Sequence, residues 1–152
     1  NTMLGYYKNQ EATEQIFDAD GWLHTGDMAV INPEGDVYIK GRCKNMLLSA
    51  SGQNIYPEEI ESRLNNLPYV NESLVIMCNE KLVALVYPDL GESLKDGLDD
   101  HALWRQIDIS RQELNKELPP YSQITKVVLQ NEEFEKTAKK SIKRYLYQNM
   151  NP

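Results

Sequence analysis

The apolar positions change period along the chain, and that change predicts its elements. MAVI (Met28 to Ile31) and DVYIK (Asp36 to Lys40) are short β-rich runs around Asn32-Pro33-Glu34-Gly35, within a hairpin reading of residues 22–40. Proline presets φ at the second turn position and glycine suits the fourth, as in a type I turn. A polar break, Gly41 to Asn45, precedes MLLS (Met46 to Ser49) and a small-residue loop, Ala50 to Asn54. Pro57-Glu58-Glu59 then opens a helix, with proline at its first position and carboxylates at the positive end of the dipole. Ile60, Leu64 and Leu67 give that helix one apolar face. SLVIM (Ser73 to Met77) and LVALVY (Leu82 to Tyr87) read as a second hairpin, and 91–97 as a polar loop. From Asp99 to about Leu118 a longer helix carries Leu103, Ile107, Leu114 and Leu118, with Ser110 and Arg111 interrupting its stripe. Pro119-Pro120 stops it. ITKVVLQ (Ile124 to Gln130) is a last strand, and Thr137 to Asn149 is expected to end as a short basic helix.

The order is hairpin, break, then β-α-β-β-α-β-α. It predicts an α+β fold: an N-terminal hairpin remnant of a large domain, then a small mixed sheet with helices packed on it. The polar break puts the expected boundary between 1–41 and 42–152. Residues 1–20 show no clear period, and Asn1, with no initiator methionine before it, reads as the start of a piece cut from something longer.

Composition narrows the classes. The chain has 152 residues, 41% hydrophobic and 26% charged, with a formal net charge of −7. That is an ordinary globular composition, and it excludes a protein basic over its whole surface. Two cysteines, Cys43 and Cys78, cannot build a disulfide framework, so a cytoplasmic setting is the default expectation. No apolar run approaches a membrane span, and no signal-peptide pattern opens the chain.

The candidate chemistry lies in four places. Asp27 ends Gly21-Trp22-Leu23-His24-Thr25-Gly26-Asp27. A carboxylate beside glycine can accept from both hydroxyls of a diol such as ribose, or simply cap a turn. Arg42, fifteen residues on, is either a phosphate or ribose partner near that carboxylate or a solvated linker arginine. Lys44 is a hinge candidate or an exposed lysine. Ser49 to Asn54 is either a loop lying along an extended ligand or an ordinary turn. The tail, Phe134 to Arg144, holds Lys136, Lys139, Lys140, Lys143 and Arg144. These cations can meet phosphate or carboxylate, or form a solvated face. Without interleaved aromatics, nucleic acid is the weaker option.

Together, GYYKNQEAT (5–13), DGWLHTGD (20–27), EGDVYIKGR (34–42), SGQNIYPEEIE (51–61) and, less fully, EKTAKKSIKR (135–144) closely resemble the C-terminal part of adenylate-forming enzymes. The wording is most similar to long-chain fatty acid–CoA ligases. The resemblance implies a two-step reaction. A fatty carboxylate and ATP, with Mg2+, give acyl-AMP and pyrophosphate; coenzyme A then gives acyl-CoA and AMP. It implies that Asp27 holds the ribose hydroxyls and that Arg42 contacts ribose or phosphate. It makes Lys44 the hinge and the Ser51-Gly52 loop the part lining the pantetheine path. It implies a missing N-terminal adenylation domain, a fatty acid substrate, peripheral membrane contact of the parent, no nucleic acid partner, and no activity in this chain alone. One position departs. The family lysine, four residues after Thr137, is Ser141 here, so no catalytic lysine is assigned. Were this segment a helix, Lys140 would point about 100° away from position 141. Ser141 also supports the alternative of a non-catalytic binding or regulatory module derived from the lid.

Overall fold

The computed structural model describes residues 2–150. The chain divides into two compact units, Asn1–Lys44 and Asn45–Pro152, against the expected boundary at 41/42.

In the first unit, a helix α1 (Gln10–Glu14) occupies a stretch that showed no period. Local polar bonds make it: Asn9 Oδ1 accepts from Ala12 N–H at 3.0 Å, and Thr13 Oγ1 accepts from Tyr6 N–H at 2.9 Å. Gly5 is required there, because a Cβ would fall 2.8 Å from the Thr13 methyl. The expected hairpin follows as antiparallel strands β1 (Asp27–Ile31) and β2 (Val37–Arg42). Gly35 N–H donates to Asn32 O at 3.0 Å and closes the turn. Of its apolar residues, Val30, Val37 and Ile39 are exposed and Met28 is half-buried.

The second unit starts with a two-residue pair, β3 (Leu47–Leu48) with β4 (Asn54–Ile55). Helix α2 (Pro57–Leu64) begins at the expected proline, but it ends before Leu67, which packs on the core from outside the helix. Strands β5 (Val70–Cys78), β6 (Lys81–Pro88) and β7 (Ile124–Leu129) form one sheet in that order. β5 and β6 pair antiparallel, β6 and β7 parallel. A parallel neighbour needs a long crossover. Helices α3 (Leu90–Lys95) and α4 (Asp100–Glu117) supply it. The polar loop expected at 91–97 is thus mostly helix. Asp89 caps it by accepting from Glu92 N–H at 2.9 Å, a short-range bond that hydrophobic period does not register.

The sheet is covered on both faces, which explains the unbroken apolar run of β6. Val75, Leu82, Ala84, Val86 and Val127 join Ile60, Leu64, Leu103, Ile107 and Leu114 of α2 and α4 on one face. Leu74, Ile76, Val83 and Leu85 meet Phe134 on the other, with Ile142 and Tyr147 packed against them. Phe134 and Tyr147 meet edge to face, centroids 5.2 Å apart.

That second cover is the tail, and it is not the expected helix. Lys136 and Ile142 form an antiparallel bridge, and only Arg144–Leu146 winds into a short 3-10 turn. Thr137 N–H donates to Ser141 O at 2.8 Å, and Lys140 N–H to Thr137 O at 2.9 Å. The segment is a tight hairpin whose arms lie on the sheet. Its apolar residues are too sparse to hold a helix, and bonding across the turn satisfies the backbone instead.

Candidate functional site

The candidate residues fall in both units, and each group is built locally. In the first unit, cross-strand register brings Asp27 and Arg42 opposite one another. Arg42 Nε lies 3.0 Å from Asp27 Oδ1, and Arg42 Nη1 donates to Thr25 O at 2.9 Å. Cys43 N–H donates to Gly26 O at 2.9 Å, and Gly26 takes φ +75°, a conformation that suits glycine. Register thus brings the two candidates together, with the arginine on the carboxylate itself. The guanidinium occupies one carboxylate oxygen, and a carboxylate oxygen can also accept from a hydroxyl.

Asp18, which sequence reading passed over, organises the loop before this pair. Its Oδ1 accepts from Asp20 N–H at 3.1 Å and Trp22 N–H at 2.8 Å. His24 Nε2 lies 3.3 Å from its Oδ2. The Trp22 bond foremost holds the Asp18 carboxyl below its usual range. The signal was present as an aspartate two and four residues before the amides it binds, an Asx pattern. Lys44 sits in the 3-10 turn Cys43–Asn45 and is the last residue of its unit.

In the second unit, Ser51 and Gly52 form the tip of the β3–β4 turn. Gly52 N–H donates to Ser49 O and Ser49 N–H to Gln53 O, both at 2.9 Å. Ser49 Oγ bonds Ser51 Oγ at 3.0 Å and accepts from Gln53 N–H at 2.9 Å. Gly52 takes φ +77°. Both residues are exposed. A cavity of about 290 Å³ opens beside this turn, with Ser49, Ser51, Lys81, Tyr121, Gln123 and Thr125 in its wall.

Ser141 follows the tip of the tail hairpin and is exposed, as are Lys139 and Lys140. The hairpin is fastened to the unit by a buried ion pair that no local pattern announces. Arg144 Nη2 bonds Glu61 Oε2 of α2, eighty-three residues away in sequence. Glu61 Oε1 accepts from Val75 N–H at 2.6 Å. Burial pushes the Glu61 carboxyl up, against the pull of Arg144. On the other arm, Lys136 Nζ lies 2.7 Å from Glu72 Oε1.

Among the described residues no three His, Cys, Asp or Glu side chains gather into a group that could hold a metal ion. No helix of the described residues is long and apolar enough to cross a membrane.

Comparison with known proteins places these features. The chain is 32% identical over 150 residues to a 2-methylpropanoate–CoA ligase of Humulus lupulus, covering 99% of this chain and 26% of that protein. It is 42% identical over 94 residues to a peroxisomal long chain acyl-CoA synthetase of Arabidopsis thaliana, covering 60% of this chain and 13% of that protein. The fold superposes on the adenylation domain of a carboxylate reductase from Mycobacterium chelonae with a TM-score of 0.82 at 26% identity, over 94% of this chain and 24% of that one. It also matches o-succinylbenzoate CoA synthetase of Bacillus subtilis in complex with its acyl-adenylate intermediate, with a TM-score of 0.75 at 25% identity, over 95% of this chain and 28% of that one. The chain thus spans about a quarter of the relatives it matches end to end. Residues 44–150 match the family described as AMP-binding enzyme C-terminal domain, and the chain belongs to that family of AMP-binding, acyl-CoA synthetase-type enzymes.

Proposed function

We propose that this chain is the closing portion of a fatty acid–CoA ligase. Residues 1–41 are the end of a large adenylation domain, and 42–152 are its small lid. The Asp27–Arg42 pair carries the reading. Asp27 accepts from the ribose hydroxyls of ATP, and Arg42, already committed at Nε and Nη1, steadies that carboxylate and meets the ribose or phosphate edge. ATP and coenzyme A supply the chemistry as substrates, with Mg2+ on the nucleotide. Lys44, at the end of its unit, serves as the hinge, and a small lid on such a joint can present two faces to one centre. The Ser51-Gly52 turn, with its hydroxyl-lined cavity, suits the amide-bearing arm of coenzyme A during the thiol step. Similarity to the long chain acyl-CoA synthetase of Arabidopsis thaliana supports a long acyl chain.

The phosphate loop and acyl pocket are expected in the large domain, so the 152-residue chain alone is inactive. The test is acyl-CoA formation by the full-length protein with straight-chain acids from two to eighteen carbons. We expect turnover that peaks at the long end, and none from this chain alone. A peak at short or branched acids overturns the fatty acid assignment. Ser141 favours a second reading, a non-catalytic module derived from the lid, and absence of turnover with every acid would favour it.

A further inference from the structure

Asp27 and Arg42 stand on paired strands, but the loop that leads into β1 has little packing to fix it. From Asp20 to Gly26 only Leu23 is half-buried, while Trp22, His24 and Thr25 are exposed. Polar bonds therefore set the path of this loop, and they converge on Asp18. Its N–H donates to Trp22 O, and its carbonyl accepts from Gly21 N–H, both at 3.1 Å. Its carboxylate accepts from the Asp20 and Trp22 amides and reaches the His24 ring. All of its polar atoms are spent on residues 20–24. The base of the loop is closed by the Phe17–Leu23 bridge and by His24 N–H, which donates to Ile16 O at 2.7 Å.

The far end of the loop is tied to the Asp27–Arg42 pair. Arg42 holds Thr25 O through Nη1 at 2.9 Å and Asp27 Oδ1 through Nε at 3.0 Å. Asp27 N–H also donates to Thr25 Oγ1 at 3.3 Å. One guanidinium thus spans loop and carboxylate, and a shift at Thr25 is passed to both. Small displacements of a binding group reached from a distance are costly, because orientation is lost with them.

We propose that Asp18 is a positioning residue for nucleotide binding: by fixing residues 20–24 it places Thr25, and through Thr25 and Arg42 it sets where Asp27 meets the ribose hydroxyls. This rests on the ligase reading, and every residue involved lies in the first unit. Asp18 acts through the loop and not on the nucleotide. What the loop requires of it is an acceptor for two amides, and an asparagine oxygen in the same place serves them as well. Asp27 holds the ribose alike in the ground state and in the transition state, so a misplaced loop raises KM and leaves kcat.

The test is palmitate-dependent ATP–pyrophosphate exchange in the full-length protein, followed against ATP concentration. Asp18 is exposed, so its truncation opens no cavity. In Asp18→Ala we expect the KM for ATP to rise about threefold to tenfold, the order of one hydrogen bond's net worth, with kcat near the unmodified value. Asp18→Asn, which keeps the acceptor, stays near the unmodified protein in both. Beside Asp27→Asn, Asp18→Ala adds no further rise, because the two changes act on one contact. An unchanged KM in Asp18→Ala, a loss carried by kcat, an equal loss in Asp18→Asn, or a full additional rise beside Asp27→Asn overturns the proposal. No exchange in the unmodified protein overturns the ligase reading itself, and the proposal with it.

Discussion

Glu61 and Arg144 are the two residues on which the tail depends. Their side chains are 10% and 15% exposed, so the pair is largely desolvated. Breaking a buried pair leaves the remaining charge uncompensated, which costs about 3–5 kcal/mol. Arg144→Met should destabilise the second unit by that order in urea unfolding at neutral pH. The pH dependence follows from Glu61. Burial already raises its folded pKa above the unfolded value, so the folded state holds its proton more tightly and stability declines as pH rises through that window. Without Arg144 the carboxyl rises further, and acidification neutralises it. The loss in Arg144→Met should therefore shrink at pH 4 to 5; an equal loss at both pH values would contradict this account. Neither partner was legible as part of a site. Glu61 sits in an acidic helix start and Arg144 in a basic run, and only the fold brings them together. That Asp27 and Arg42 lie near one another was legible, because a tight turn and antiparallel pairing fix their register within sixteen residues of chain.

At the scale of elements, what could be read depended on where the stabilising contacts lie. The hairpin β1–β2, helix α2, the β5–β6 pair and α4 follow from apolar period and turn residues, and each forms in the expected stretch, with α2 stopping short of Leu67. Helix α4 also shows how polar residues read as interruptions. Arg111 Nη1 donates to Ile124 O at 2.6 Å. Asn115 Nδ2 donates to the same oxygen at 2.8 Å, and its Oδ1 accepts from Ile124 N–H at 2.9 Å. Arg111 breaks the stripe because it bonds the backbone of the edge strand β7, and Asn115 bonds the same backbone. Trp104 Nε1 does the same at Val127 O, 3.3 Å away. Helices α1 and α3 and the tail hairpin were missed, since caps and long-range packing make them rather than period. The core beneath α4 is fully closed, and Ile107 has no exposed surface. Ile107→Ala should cost about 2–5 kcal/mol in the same urea measurement, and a cost under 1 kcal/mol would mean that α4 is not packed on the sheet as described.

For the molecule as a whole, family membership and the paired Asp27 and Arg42 point the same way. The second unit has its own two-faced core, whereas Val30, Ile31, Val37, Tyr38 and Ile39 of the first unit are exposed. Exposed apolar residues on both sides of this hairpin fit a segment whose covering layers lie in the large domain that we propose. The negative net charge and the cationic tail tip are compatible too, because the charge that matters for an anionic substrate is local. The central claim is that this chain helps to hold ATP for acyl transfer. It is tested most directly by ATP–pyrophosphate exchange in the full-length protein, with and without palmitate, unmodified and as Asp27→Asn. The account predicts exchange that requires palmitate and falls about tenfold to a hundredfold in Asp27→Asn, as charge-assisted bonds to the ribose weaken. Exchange independent of palmitate, or undiminished in Asp27→Asn, would contradict it.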